Sequence, residues 1–193
     1  MREIDSQLMD SILSNNMRAT KFLIHCGANP NCIVNGMTSL EGAILNGSDK
    51  LISLLVHGGA DVNGVPGYIQ PLLVALYMED QDSVNTLINL GAKTTITCPW
   101  GVTPLMLAAA FSFELVNTLL VHGSYVNAVD SSGRTALFFA CLHKKADIVR
   151  ILLNYGADKT ILDDCGRSAR DMCCMSLTGD NPEVDRICVM LTG

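Results

Sequence analysis

The residue types able to carry covalent or metal chemistry in this chain are eight cysteines and four histidines. A structural zinc site needs such ligands at close, regular spacing, and a disulfide framework needs an oxidising compartment. Cys26, Cys32, Cys98, Cys141, Cys165, Cys173, Cys174 and Cys188 form no C-x-x-C pair and no Cys/His set of that kind. They read as reduced thiols acting as small hydrophobes. His25, His57, His122 and His143 are scattered, the first three near the ends of apolar runs, where a histidine favourably meets the carbonyl end of a helix. No nucleophile with its base, no paired catalytic carboxylates and no glycine-rich phosphate loop is written here. Glu79, Asp80 and Asp82 read as an acidic edge. The sequence thus calls for no catalytic residue, no metal ligand set and no cofactor.

What remains is a chain built to pack. Its 193 residues and 49% hydrophobic content suffice for a continuous core. Only 5% of residues are aromatic, and the apolar share is mostly Leu, Val, Ile, Ala and Met, which predicts an all-α fold. The net charge of -6, with no basic cluster longer than Lys144-Lys145, argues against direct nucleic-acid binding. The start, MREIDSQLMD, has no long apolar run and reads as no export or transit signal. No stretch approaches the roughly 20 apolar residues of a membrane span. The expectation is an intracellular protein, cytoplasmic and/or nuclear, without membrane insertion.

Internal repetition decides the elements. Gly27-Ala28-Asn29 returns as Gly59-Ala60-Asp61, Gly91-Ala92-Lys93, Gly123-Ser124-Tyr125 and Gly156-Ala157-Asp158, at spacings of 32, 32, 32 and 33 residues. In the same register run Thr38-Ser39-Leu40, Gln70-Pro71-Leu72, Thr103-Pro104-Leu105, Thr135-Ala136-Leu137 and Ser168-Ala169-Arg170. Within Gly133 to Asp158, Thr135 suits a helix N-cap and a first helix runs to about His143. A polar turn over Lys144 to Asp147 leads to a second helix carrying Ile148, Val149, Ile151, Leu152 and Leu153, which Gly156 stops. The segments between pairs read as hairpin-like loops. In the third unit Tyr68 stands where others keep Gly36, Gly101, Gly133 and Gly166, so that loop is either strained or reshaped.

Thr-Pro-Leu, then Ala-Ala, then Leu-Leu and Gly at this period resembles the ankyrin repeat. The nearest copy is Thr103-Pro104-Leu105 with Ala108-Ala109, Leu119-Leu120 and Gly123. The resemblance covers nearly the whole chain and implies an all-α solenoid of stacked helix-turn-helix units with hairpin-like loops. One domain over 1–193 is expected, with units near 1–31, 32–63, 64–96, 97–127, 128–160 and 161–193, the outer two degenerate.

The resemblance further implies a non-enzymatic interaction module, an adaptor, scaffold or inhibitor. Its partner would be another protein, a helix or peptide segment held in the concave groove and at the loop tips. Register places Leu13, Leu45, Asn46, Val74, Tyr77, Met78, Leu107, Ala110, Phe111, Phe139, Leu142, His143, Met172 and Met175 on the groove side of the first helices. Ala43, Ala75, Ala108 and Ala140 line the opposite, packing stripe. The groove positions either pack against the next unit or wait for a partner. We take Leu45, Val74, Tyr77, Met78, Leu107, Phe111, Phe139, Leu142 and His143 as partner-binding. Trp100, the only tryptophan, joins them as a loop-tip anchor, the alternative being that it folds over its own loop. Asn63 resembles the loop asparagine that ankyrin repeats present to an asparaginyl hydroxylase, with turn geometry as the plainer reading. Two other roles stay open: a structural segment of a larger multidomain protein, suggested by the apolar ending Val189-Met190-Leu191-Thr192-Gly193, and a pathogen effector or viral host mimic. The oligomeric state is not written in the sequence.

Overall fold

The computed structural model describes residues 2–98, 100–174 and 181–192. The chain divides into two compact units, Met1–Lys93 and Thr94–Gly193. In the first, three helix pairs follow one another: α1 (Glu3–Leu13) with α2 (Met17–His25), α3 (Ser39–Leu45) with α4 (Asp49–His57), and α5 (Pro71–Tyr77) with α6 (Gln81–Asn89). A two-residue hairpin, β1 (Ile33–Val34) with β2 (Met37–Thr38), precedes α3. The second unit holds α7 (Pro104–Phe111) with α8 (Phe113–Val121), α9 (Ala136–Leu142) with α10 (Ala146–Asn154), and α11 (Ala169–Cys174) with α12 (Pro182–Thr192).

Each helix is two or three turns long, too short to be stable alone. Stability comes from stacking like on like. In the first unit α1 packs on α3 and α3 on α5, while α2 packs on α4 and α4 on α6. In the second, α7, α9 and α11 form one row and α8, α10 and α12 the other. Alanine lets the first helices approach: Ala43, Ala75, Ala108 and Ala140 are all buried, as the repeat register predicts. Among the described residues Phe138 is the largest fully buried side chain.

The caps follow the sequence closely but not everywhere. Thr38 accepts from the Glu41 N–H and Glu41 answers from its carboxylate to the Thr38 N–H, a reciprocal box. Thr103 accepts from the Met106 N–H at 3.2 Å, and Pro104 takes the first helical position. Thr135, expected to cap α9, occupies the N-cap position with no such bond. The polar turn expected over 144–147 is also shorter, since α10 begins at Ala146.

Between the paired helices one residue usually turns left-handed: Asn15, Gly47, Glu79 and Lys144, with φ of 53°, 58°, 53° and 56°. The fourth pair lacks it. Ser112 alone joins α7 to α8, closing the first and capping the second by accepting from the Leu115 N–H. At this position glycine is the unstrained choice and a side chain costs about 1 kcal/mol. Lys144→Gly should therefore raise the stability of the second unit by up to about 1 kcal/mol in urea unfolding, less a few tenths for glycine's freer unfolded chain. A lower midpoint would contradict this.

The loops settle the question raised by Tyr68. Gly36, Gly101, Gly133 and Gly166 all take positive φ, whereas in the third repeat that conformation passes to Gly67, φ 87°, one residue earlier. The loop is reshaped and Tyr68 escapes strain. In the second unit two loops are closed by the same device, invisible to a search for catalytic residues. Asp130 accepts from the Ser132 and Arg134 N–H groups at 2.9 Å through one oxygen, and from the Arg134 guanidinium through the other. Asp163 repeats this with Cys165 and Arg167. Successive loops are then tied by backbone bonds, Ser131 N–H to the Trp100 carbonyl at 2.9 Å and Asp164 N–H to the Ser132 carbonyl at 3.0 Å.

Candidate functional site

The potential chemical groups lie apart. Cys32 is buried, and burial with the nearby Asp5 charge pushes its thiol up to about 11, far from a reactive thiolate. Cys26 and Cys165 are exposed, while Cys141 and Cys173 sit in the core. Among the described residues no three His, Cys, Asp or Glu side chains converge as a metal set. His57 and His122 donate through Nδ1 to the carbonyls four residues back, Ser53 at 2.6 Å and Thr118 at 2.8 Å. These are helix-end bonds.

The first helices carry the exposed apolar groups, and their distribution follows depth along each short helix. In the first unit Leu13, Leu45, Tyr77 and Met78 are exposed, Tyr77 at 75%. In the second unit Phe111 and Leu142 are exposed, His143 is exposed beside them, and Leu107 and Phe139 are half-buried. The exposed members occupy the last turn of a first helix or the residue after it. Val74, counted with the groove set, is 9% exposed and belongs to the packing. Ala110 and Met172 are buried in the same way. The reason is geometric: register fixes the angle of a side chain around its helix but not how far the neighbouring first helices cover it along the axis. Asn46 is also used internally, its amide donating to the Ile12 carbonyl at 2.6 Å. Met175 lies outside the described residues.

In the second unit the half-open side chains are held by ring contacts. Phe111 lies 6.0 Å from the His143 ring at a tilt of 48°, and the Arg134 guanidinium stands 5.1 Å over Phe139. Arg134, which the sequence reading missed, therefore serves both the Asp130 turn and the apolar surface. Trp100 is 70% exposed and does not fold over its loop. Asn63 accepts from the Lys93 N–H at 2.9 Å. Asn31 and Asn127 do the same for Asp61 and Asp158, and also donate to the Gly59 and Gly156 carbonyls. One geometric role, tying consecutive loops, accounts for all three.

Stacked helix pairs, left-handed glycine stops and hairpin loops tied one to the next define a repeat protein. This chain is an ankyrin-repeat protein: residues 72–163 match the family model for ankyrin repeats, in three copies. By sequence it is 41% identical over 58 residues to the Caenorhabditis elegans ankyrin repeat and LEM domain-containing protein 1 homolog, covering 30% of this chain and 8% of that one. It is 32% identical over 122 residues to the ankyrin repeat protein FPV031 of fowlpox virus (strain NVSL), covering 59% of this chain and 35% of the relative. It is 32% identical over 139 residues to a Danio rerio protein named as a palmitoyltransferase, ZDHHC13, covering 70% of this chain and 22% of the relative. The chain thus spans well under two thirds of these relatives. Its fold matches the crystal structure of the ankyrin repeat domain of Bcl-3 with a TM-score of 0.78 and 24% identity, over 93% of this chain and 80% of that one. Among the described residues no helix is long and apolar enough to cross a membrane.

Proposed function

We propose that the chain is a non-enzymatic adaptor, scaffold or inhibitor that holds a helix or peptide segment of another protein against the last turns of its first helices. The observation that carries this reading is the concentration of exposed apolar side chains there: Leu45, Tyr77 and Met78 in one unit, Phe111 and Leu142 in the other. Exposed apolar groups gathered on each unit mark a place that something covers, and aromatic and Met side chains contribute most when covered. Trp100 adds an anchor at a loop tip. Ankyrin repeats are a general protein-interaction fold, which supports the same reading. The likeness to a palmitoyltransferase covers a minor part of that protein, 22% of its length. We place the protein in the cytoplasm or nucleus, on cysteines spaced neither for a disulfide framework nor for a zinc site.

Tyr77→Ser and Phe111→Ser test the reading. Each side chain is exposed at 75% and 41%, so folding should be little changed, within about 0.5 kcal/mol. Capture of partners from a cell extract should fall at least about tenfold for each, the loss of about 1.4 kcal/mol at a contact anchor. If both variants fold and both capture partners like the wild type, the surface is not the binding site.

A further inference from the structure

The turn between α5 and α6, which follows the exposed stripe of the first unit, is acidic where the other two turns between paired helices of that unit are neutral. Tyr77 and Met78 run directly into Glu79 and Asp80, with Asp82 on the first turn of α6. None of these three carboxylates forms an ion pair with a Lys or Arg among the described residues; the ion pair that the first unit does show joins Arg2 to Asp5. Their field is felt nearby. Burial and the charges of Asp80 and Asp82 push Asp49, at the start of α4, above the usual carboxylate range, against the opposing pull of the Thr86 and Ser83 hydroxyls. A folded domain that leaves like charges together beside exposed apolar groups carries a repulsion that a cation would relieve.

We infer that this face of the first unit docks a cationic amphipathic segment of a partner protein, its apolar side on Leu45, Tyr77 and Met78 and its Lys or Arg side chains on Glu79, Asp80 and Asp82. The inference rests on the interaction reading above and adds the chemistry of the occupant. The apolar contacts supply affinity, and the carboxylates choose the sign of the partner and speed its approach.

The test uses the full chain and a designed amphipathic helix with a leucine face and a lysine face, beside the same peptide carrying glutamine for lysine. Fluorescence anisotropy at low and moderate salt reads both affinities. The lysine peptide is expected to bind about tenfold tighter than the glutamine peptide, an advantage that shrinks with salt. The triple variant Glu79→Gln, Asp80→Asn, Asp82→Asn should erase that advantage and leave the glutamine peptide unchanged; asparagine at position 80 preserves the cap on α6. Tyr77→Ser should weaken both peptides. The inference is overturned if the triple variant binds the lysine peptide as the wild type does, or if Tyr77→Ser changes neither. It is equally overturned if sedimentation shows a dimer that Tyr77→Ser dissolves, which would make a second copy the occupant. Loss of partner capture in Tyr77→Ser, with both peptides bound alike by the wild type, would leave the interaction reading standing and remove only the cationic assignment.

Discussion

Phe138→Ala is expected to destabilise the second unit by about 4 kcal/mol, which would unfold a marginal domain. Phe138 is 2% exposed and lies on α9, the middle first helix of its unit, packed against α7 on one side and α11 on the other. Truncation removes the buried ring and leaves a void that two rows of short helices cannot close without losing their own contacts. The effect should therefore exceed that of Leu142→Ala on the same helix, since Leu142 is 41% exposed and that change should stay below about 1 kcal/mol. Urea unfolding of the two variants decides it: comparable losses would mean that α9 is not packed as described.

Asp130→Ala carries the second large effect, about 3 kcal/mol, by a different route. The Asp130 side chain is almost fully buried and satisfies two backbone N–H groups and the Arg134 guanidinium together. Its loss strands those donors and frees Arg134 from the position it holds over Phe139. The sign of the pH dependence follows. Burial alone would raise the Asp130 carboxyl, but the Arg134 and Ser132 donors outweigh it and hold it below the usual range. Asp163 is held down chiefly by Arg167. A folded-state pKa below the unfolded value, about 3.9, gives stability that is complete above that value and lost as pH falls through the folded one. The wild type should lose stability between about pH 5 and 2, and Asp130→Ala should show a flatter decline over that range, having already lost one of the groups that titrates. A variant with the wild-type slope would show that the carboxylate is not what closes the loop.

Much of the architecture was legible because it rests on local chemistry repeated in register. Glycine stops, the Thr38 and Thr103 caps, and the buried alanines at 43, 75, 108 and 140 each have a one-residue signature. The exceptions are places where the same letters meet a different backbone. Thr135 stands at its cap position without the cap bond, and the single residue Ser112 replaces a three-residue turn. The third loop keeps its left-handed residue by moving it to Gly67. The surface was legible in angle but not in depth, which is why Val74 fell with Tyr77 in one register while the structure buries the first and exposes the second. The Asp-x-x-Gly-Arg runs at 130–134 and 163–167 were available as a signal, since an aspartate at the start of a tight turn favours its own backbone donors. They carry no catalytic pattern and so drew no notice.

The central claim is that the last turns of the first helices are what the partner touches. Photo-crosslinking from single positions in cells tests it most directly, comparing position 77 with position 22, where Phe22 is a similarly exposed aromatic at 66% on a second helix. A partner adduct from 77 and none from 22 is the expected result. An adduct from 22 with none from 77 would place the binding surface on the other row of helices and contradict the account.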